Sequence, residues 1–442
     1  MSGSFAKYLS VFLLSGIVAC SGSSKNESVI IITNPGDKAI ADELIVFTRA
    51  DVEAVAKNKN GGALAKNDYV LLTDTKGQPV LVQYDDIDGD GSWDEMAILG
   101  NIDPKGQLEW VASIAKSPAT IKAKVRAHVR QKRKNADGSF GDDLAKDSVP
   151  VDQPATDFSK QALPPFLTEG PAWENDKVGF RLYFDVRNGK DIWGKLVPQM
   201  VLDEVGADTA KNYHKIADWG MDVLKVGKSL GAGSLALSVG TVNGRDSLIR
   251  LGGTNMGPIT YEKISDGPLR AVFRLHYPSW KIPGYDQPVQ LTEEISIWGG
   301  IYGYESKVTI KNAPANSKLV VGIVNLYSKE SQTMDSDGAK VLYTYDAQTE
   351  NKDSLGMAVM VSADQFSSFI TTPNTGTDIL NTYAVSIIPK NGSLVYRFYA
   401  GWEKSDAQFK SGKGFAEYLK KEAGSFQQIL PRKLGVRSQV SL

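Results

Sequence analysis

Leu269-Arg270-Ala271-Val272-Phe273-Arg274-Leu275-His276-Tyr277 decides the fold class. Side chains alternate between the two faces of a strand, so Leu269, Ala271, Phe273, Leu275 and Tyr277 make an apolar face while Arg270, Arg274 and His276 share the other. Downstream, 289–298, 303–310, 319–326, 356–361, 383–388 and 393–400 read as further strands with aromatic alternation. They predict a mainly antiparallel, sandwich-like β domain over 171–442. Segments 207–226 and 414–426 are the helix-compatible exceptions, the second an amphipathic cap. Upstream, β-rich runs at 29–33, 43–49, 69–73, 79–84 and 108–114 predict a small N-terminal β-sandwich over 29–134. Its last strand, 121–134, alternates Lys122, Lys124, Arg126, His128, Arg130 and Lys132 against Ala123, Val125, Ala127 and Val129. That pattern suits a lysine-guarded edge better than a polyanion site. Residues 135–170, polar and broken by prolines, read as a linker or insert.

The first residues carry one cation, Lys7, ahead of the apolar run 8–18, too short to span a bilayer but suited to a signal-peptide core. The run ends in Leu14-Ser15-Gly16-Ile17-Val18-Ala19-Cys20, small residues before the only cysteine in 442 residues. Residues 1–20 are therefore expected to be a lipoprotein signal peptide with Cys20 as the acylated N-terminus and 21–28 as a flexible tether. The expected location is the periplasmic or cell-surface face of the outer membrane, with the membrane an anchor only. A net charge of −1 supplies no basic field for nucleic acid. No protein partner is indicated.

Asp86-Ile87-Asp88-Gly89-Asp90-Gly91-Ser92-Trp93-Asp94-Glu95 places carboxylates at alternating positions before a glycine, the oxygen-rich wrapping that hard calcium prefers. Ala97 stands where an EF-hand needs its bidentate glutamate, so the expectation is a shorter structural Ca2+ loop with Asp86, Asp88, Asp90, Asp94 and Glu95 as ligands. The alternative is a solvated Asp-Gly turn. Gly227-Lys228-Ser229-Leu230-Gly231 matches a nucleophile elbow, but a strand follows where that motif needs a helix, so Ser229 is not read as a nucleophile. Two segments mix aromatics with acids and cations: Trp173-Glu174-Asn175-Asp176 through Arg181 and Tyr183, and Tyr213-His214 through Trp219, Asp222, Lys225 and Lys228. Sugar sites are built this way, from aromatic platforms and polar groups that engage hydroxyls and carboxylates. Among three histidines, His214 lies in the polar cluster, and His276 shares a strand face with Arg270 and Arg274.

In these residues the sequence resembles the family of domain of unknown function 4861. The resemblance rests on the Asp86–Glu95 loop, Trp173-Glu174-Asn175-Asp176 with Arg181 and Tyr183, Tyr213-His214, Trp219-Gly220-Met221-Asp222 with Lys225-Val226-Gly227, and Gly267-Pro268-Leu269-Arg270. The insert at 135–167 departs from the pattern. The fold expected is a small β-sandwich followed by a larger one of the galactose-mutarotase-like supersandwich kind. The resemblance implies an oligosaccharide dehydratase, removing water from a non-reducing-end uronic acid to leave a 4,5-unsaturated residue. That chemistry needs a cation to neutralise the carboxylate, a base for the C5 proton and an acid for the 4-hydroxyl. Arg181 and Arg270 are the expected cations, His214 the base or acid, and Tyr183 or Tyr213 its complement. Trp173 and Trp219 are the expected platforms; Glu174, Asn175, Asp176, Asp222, Lys225, Lys228 and His276 are expected to contact substrate. No cofactor is needed for the chemistry. The rivals are a glycoside hydrolase using two carboxylates such as Glu174 and Asp222, a polysaccharide lyase, and a non-catalytic glycan-binding lipoprotein.

Overall fold

The computed structural model describes residues 26–54, 63–242, 245–426, 430 and 432–438. The expectations for 1–25, Cys20 included, lie outside the described residues. Asn26–Thr33 is already paired strand, so the end of the expected tether belongs to the fold.

Near the N-terminus, Asn26–Thr33, Gln107–Ala115 and Tyr69–Asp74 form a sheet that Arg432–Ser438, from the far end of the chain, completes. A second sheet holds Ile40–Thr48, Glu95–Ile102 and Gln83–Asp85. Ile30, Ile32, Phe47, Val70, Ile98 and Trp110 make the core of this sandwich. Glu95–Ile102 escaped the sequence reading because Met96, Ala97 and Ile98 are all buried, which erases the alternation.

The larger part is built on a nine-stranded antiparallel sheet containing Arg270–Trp280, Val289–Trp298, Gly303–Lys311 and Ser393–Trp402 at its centre. Ala271, Phe273, Leu275 and Tyr277 point into one core, as their alternation requires. That core also takes Leu235, Leu319, Val321 and Val385 from one five-stranded sheet, and Trp173, Phe180 and Ile192 from another. On the opposite face, Tyr343, Met360 and Tyr399 lie under Phe415 and Leu419 of the helix Gly412–Phe426. The molecule is mainly β and sandwich-like, with few helices.

Two sequence expectations fail locally. Segment 207–226 is not a helix: turns lead to the strand Gly220–Asp222. Asp208 and Asn212 side chains accept from the amides of Ala210 and His214, both at 2.9 Å, offering the backbone an alternative to helix. Gly220 has φ 134°, and a Cβ there would lie 1.8 Å from the Gly194 carbonyl oxygen. Segment 121–134 is strand only over Ala127–Arg130, and it pairs with Ala172–Asn175, not with the N-terminal sandwich. The outward cations of the strand itself are clamped. Arg130, fully buried, donates to the carbonyls of Leu167, Gly170 and Leu202. His128 sits 3.0 Å from both Asp203 and Asp266.

Burial opposes the charge on His128, but hydrogen bonds to Asp203 and Asp266 outweigh it and raise its pKa to about 10. A group raised in this way stabilises the fold fully below its unfolded pKa and loses that contribution as pH climbs through the folded one. Urea unfolding is expected to show stability falling between roughly pH 6.5 and 10, with the slope reduced in His128→Gln. An unchanged slope in the variant would refute the assignment.

Candidate active site

The sheet that carries the site runs Gly220–Asp222, Lys190–Lys195, Val178–Leu182, Ala172–Asn175, Ala127–Arg130. Period two sorts its side chains: Met221, Ile192, Phe180, Trp173 and Val129 enter the core, which leaves Asp222, Asp191, Arg181, Glu174 and Arg130 on the outer face. Register sets Arg181 directly opposite Asp191, a cross-strand pair of opposite charge. The irregular chain between these strands folds back over that face, where Leu202, Val205, Tyr213 and Trp219 pack with Trp193. This cover brings Tyr213 and His214 to the strand residues.

Arg181 is the hub. Its Nη2 donates to Asp222 Oδ2 at 2.6 Å and to Asp191 Oδ2 at 2.8 Å, and its Nε to Asp191 at 3.1 Å. Nη1 reaches the Tyr213 hydroxyl and the Thr168 carbonyl, each at 3.4 Å, and lies 3.6 Å from Glu169 Oε2. The Tyr183 hydroxyl donates to Asp191 at 2.6 Å. The Tyr213 and His214 rings are 4.6 Å apart. His214 Nδ1 stands 3.7 Å from both Asp222 Oδ2 and Glu350 Oε2, while 48% of the side chain remains exposed. One accessible imidazole therefore sits over a buried ionic cluster.

Glu169 enters on a strained turn. Thr168 (φ 49°) and Glu169 (φ 70°) are left-handed, and a Cβ on Gly170 would meet the Leu182 carbonyl oxygen at 2.2 Å. Such conformations persist only where the surroundings enforce them, and they gather at functional sites. Arg130 supplies the enforcement by binding the carbonyls of Leu167 and Gly170 and the Thr168 hydroxyl.

The protonation states follow from burial. Burial, then Asp191, pushes the Asp222 carboxyl well above the usual carboxylate range despite Arg181. Burial and the Arg181 charge lower the pKa of His214. Burial raises the Tyr183 and Tyr213 hydroxyls against the pull of Arg181. These directions favour an imidazole able to accept a proton, beside hydroxyls and a carboxyl held toward their protonated forms.

Arg181, Tyr183, Tyr213, His214 and Asp222 come together as the sequence suggested, with Trp219 near them through Trp193, 5.9 Å away. Glu169, Asp191 and Glu350 join them although the sequence reading passed over them. Asp191 is placed by the cross-strand register that sets it opposite Arg181; Glu350 arrives from a distant loop with no local signal. The rest lie elsewhere. Trp173 is fully buried against Phe180, Phe273 and Tyr304, so no ring face is open to a sugar. Glu174 holds Lys195 and the amides of Val201 and Leu202, and Asn175 holds the carbonyls of Trp298 and Ile301. Asp176 binds Arg126 and the Gly300 amide. Arg270 is buried between Asp85 and Glu95, both at 2.6 Å, tying the large sheet to the N-terminal sandwich. His276 pairs with Glu262 at 3.1 Å on the large sheet. Lys225 and Lys228 are exposed. Ser229 is buried and donates to the Val226 carbonyl in a turn.

Of the five expected metal ligands, Asp86, Asp88 and Asp94 offer carboxylate oxygens that all lie within 4.8 Å of one another. Glu95 is taken by Arg270, and Asp90 lies 3.7 Å from Lys66. Amides of Gly89, Asp90 and Gly91 already bind Asp86, so the loop is shaped before any ion enters.

Residues 32–430 match the family model described as "Domain of unknown function (DUF4861)". "Uncharacterized protein P7" of Formosa agariphila is 25% identical over 295 residues, which cover 63% of this chain and 70% of that protein. Two solved structures from Enterococcus faecalis, a protein in the Glycosyl Hydrolase Family 38 and an alpha-mannosidase, align at 9% identity with TM-scores of 0.44 and 0.42. Each alignment covers 93% of this chain but only 47% and 46% of those chains, so the chain spans less than half their length. From the match along almost its whole length, the chain belongs to the family of domain of unknown function 4861.

Proposed function

We propose that the protein is a carbohydrate-active lyase that eliminates water from the non-reducing-end uronic acid of an acidic oligosaccharide. The observation that carries the reading is the accessible His214, of lowered pKa, set over the buried Arg181–Asp191–Asp222 cluster. Neutral His214 takes the C5 proton, the C4–O bond breaks, and the electron pair from C5 forms the 4,5 double bond. The departing hydroxide takes a proton from Tyr213 and leaves as water. Tyr213 suits this role better than Tyr183, whose proton is committed to Asp191 at 2.6 Å, while Arg181 beside the Tyr213 oxygen stabilises the phenolate left behind. The hydrolase alternative loses its expected carboxylate pair, since Glu174 is buried under Lys195 while Asp222 lies in the cluster. Incubation with glucuronate-terminated oligosaccharides is expected to raise ultraviolet absorbance, as a conjugated uronate forms, and to leave neutral oligosaccharides unchanged. Absence of a chromophore across acidic glycans would overturn the reading.

In the same reading Cys20 carries an acyl anchor that holds the body at the outer membrane, and Cys20→Ala should release it to the soluble fraction. Asp86, Asp88 and Asp94 would hold a structural Ca2+. Calcium at about one hundred times its Kd should then add about 2.7 kcal/mol of stability, and Asp88→Asn should remove the gain. A melting temperature indifferent to calcium and chelator would refute the site.

A further inference from the structure

Tyr183 has a second neighbour, a cavity of about 200 Å³ lined also by Arg187 and Arg250. Gly189 and Gly227 contribute walls without side chains, which keeps the space open. The two guanidiniums differ in their freedom. Arg250 is spent: Nε binds Asp378 at 3.0 Å, and Nη1 and Nη2 donate to the carbonyls of Ser229 and Lys228. Arg187 is held by Asp185 and Glu169 through Nε and Nη2, and its guanidinium lies 4.0 Å from the Tyr183 ring centroid. Its Nη1 meets no partner among the described residues, and 36% of the side chain is exposed. The guanidinium is fixed by two carboxylates, and its Nη1 hydrogens are the donors left for an added acceptor.

The reaction needs such a group. Arg181 has every nitrogen engaged by the protein's own acids, tyrosines and backbone, and Arg270 is bound to Asp85 and Glu95. Neither is free to neutralise a substrate carboxylate. The cavity is also smaller than the roughly 300–1,000 Å³ of clefts that enclose drug-sized ligands, so it fits the end of a chain better than its middle.

We propose that this cavity is the subsite for the carboxylate-bearing end of a single terminal uronate, with Arg187 as its anchoring donor and Arg250, already paired with Asp378, as a fixed wall. The assignment rests on the elimination reading above, because that chemistry calls for a cation at C6. Bound there, the carboxylate lies against Tyr183 and beside the Arg187 guanidinium.

Binding and turnover test the two ideas separately. Calorimetric titration of the wild-type protein with free glucuronate, glucose and glucose 6-sulfate is expected to show binding of glucuronate alone. Arg187→Gln should weaken it on the order of tenfold to a hundredfold, the range for hydrogen bonds to charged groups. If loss of the Glu169 and Asp185 contacts unfolds that variant, Arg187→Lys keeps the charge without the fork and should still weaken binding several-fold. Equal affinity for glucuronate in the folded variants, or tighter binding of the sulfate ester, would overturn the subsite while leaving elimination standing. Arg187-dependent glucuronate binding without any turnover would sink the elimination reading and keep the subsite. Failure of wild type to bind glucuronate while it dehydrates longer substrates would also overturn the subsite.

Discussion

His214→Ala is expected to lower turnover by about 10²- to 10⁴-fold, the usual contribution of a positioned acid–base group, while leaving the fold intact. The separation follows from the site. Nearly half of the side chain is exposed, and its charged neighbours stand at 3.7 Å, beyond hydrogen-bond reach, so its loss strands no buried partner. Stability should change by no more than about 0.5 kcal/mol. The pH profile carries a further signature. A base works only when deprotonated, and burial with the nearby Arg181 holds His214 below its ordinary value of 6.5. Wild-type kcat/KM should therefore rise with pH through a midpoint under 6.5, and that limb should vanish from the residual activity of the variant. Wild-type kcat in a folded His214→Ala protein would end the assignment.

The second large effect is structural. Arg181→Met is expected to destabilise the protein by about 3–5 kcal/mol, the cost of leaving buried charge without its partner, because Glu169 and Asp191 face the guanidinium. Asp222→Asn should cost much less. Its carboxyl is already driven toward the neutral form by burial and by Asp191, and an amide reproduces that form. The two variants also differ in pH dependence. A carboxyl with a raised folded pKa stabilises the fold fully below its ordinary value of 3.8 and loses that contribution as pH rises through the folded pKa. Asp222→Asn should remove this part of the slope, whereas Arg181→Met should push Asp222 further up and extend it. Urea unfolding across pH measures both, and equal costs for the two variants would contradict the protonation scheme.

The strands were legible where one face is buried and the other is not. Alternation across Leu269–Tyr277 named Ala271, Phe273, Leu275 and Tyr277, which enter the core, and Val289–Trp298 matched its strand end to end. Alternation failed where both faces are covered, as in Glu95–Ile102, and where the cover is ionic, as at Ala127–Arg130, whose outward cations looked like a solvated edge. Composition misled the site reading for the same reason. Trp173, Glu174, Asn175 and Asp176 have the residue types of a sugar platform, yet the strand sends Trp173 into the core and the others into loop anchors. Arg181, Tyr183, Tyr213, His214 and Asp222 were marked by residue type and by the family resemblance, and the strands and their cover bring them to one face. Asp191 and Glu350 were not, since cross-strand register and the path of a distant loop leave no mark in local sequence.

On the proposed chemistry this cluster removes water without cutting the chain. The most direct measurement is the product mass after the purified protein has acted on a single glucuronate-terminated oligosaccharide of defined length. The expected product is an intact oligosaccharide lighter by one water. Two shorter fragments, or a product of unchanged mass, would contradict it.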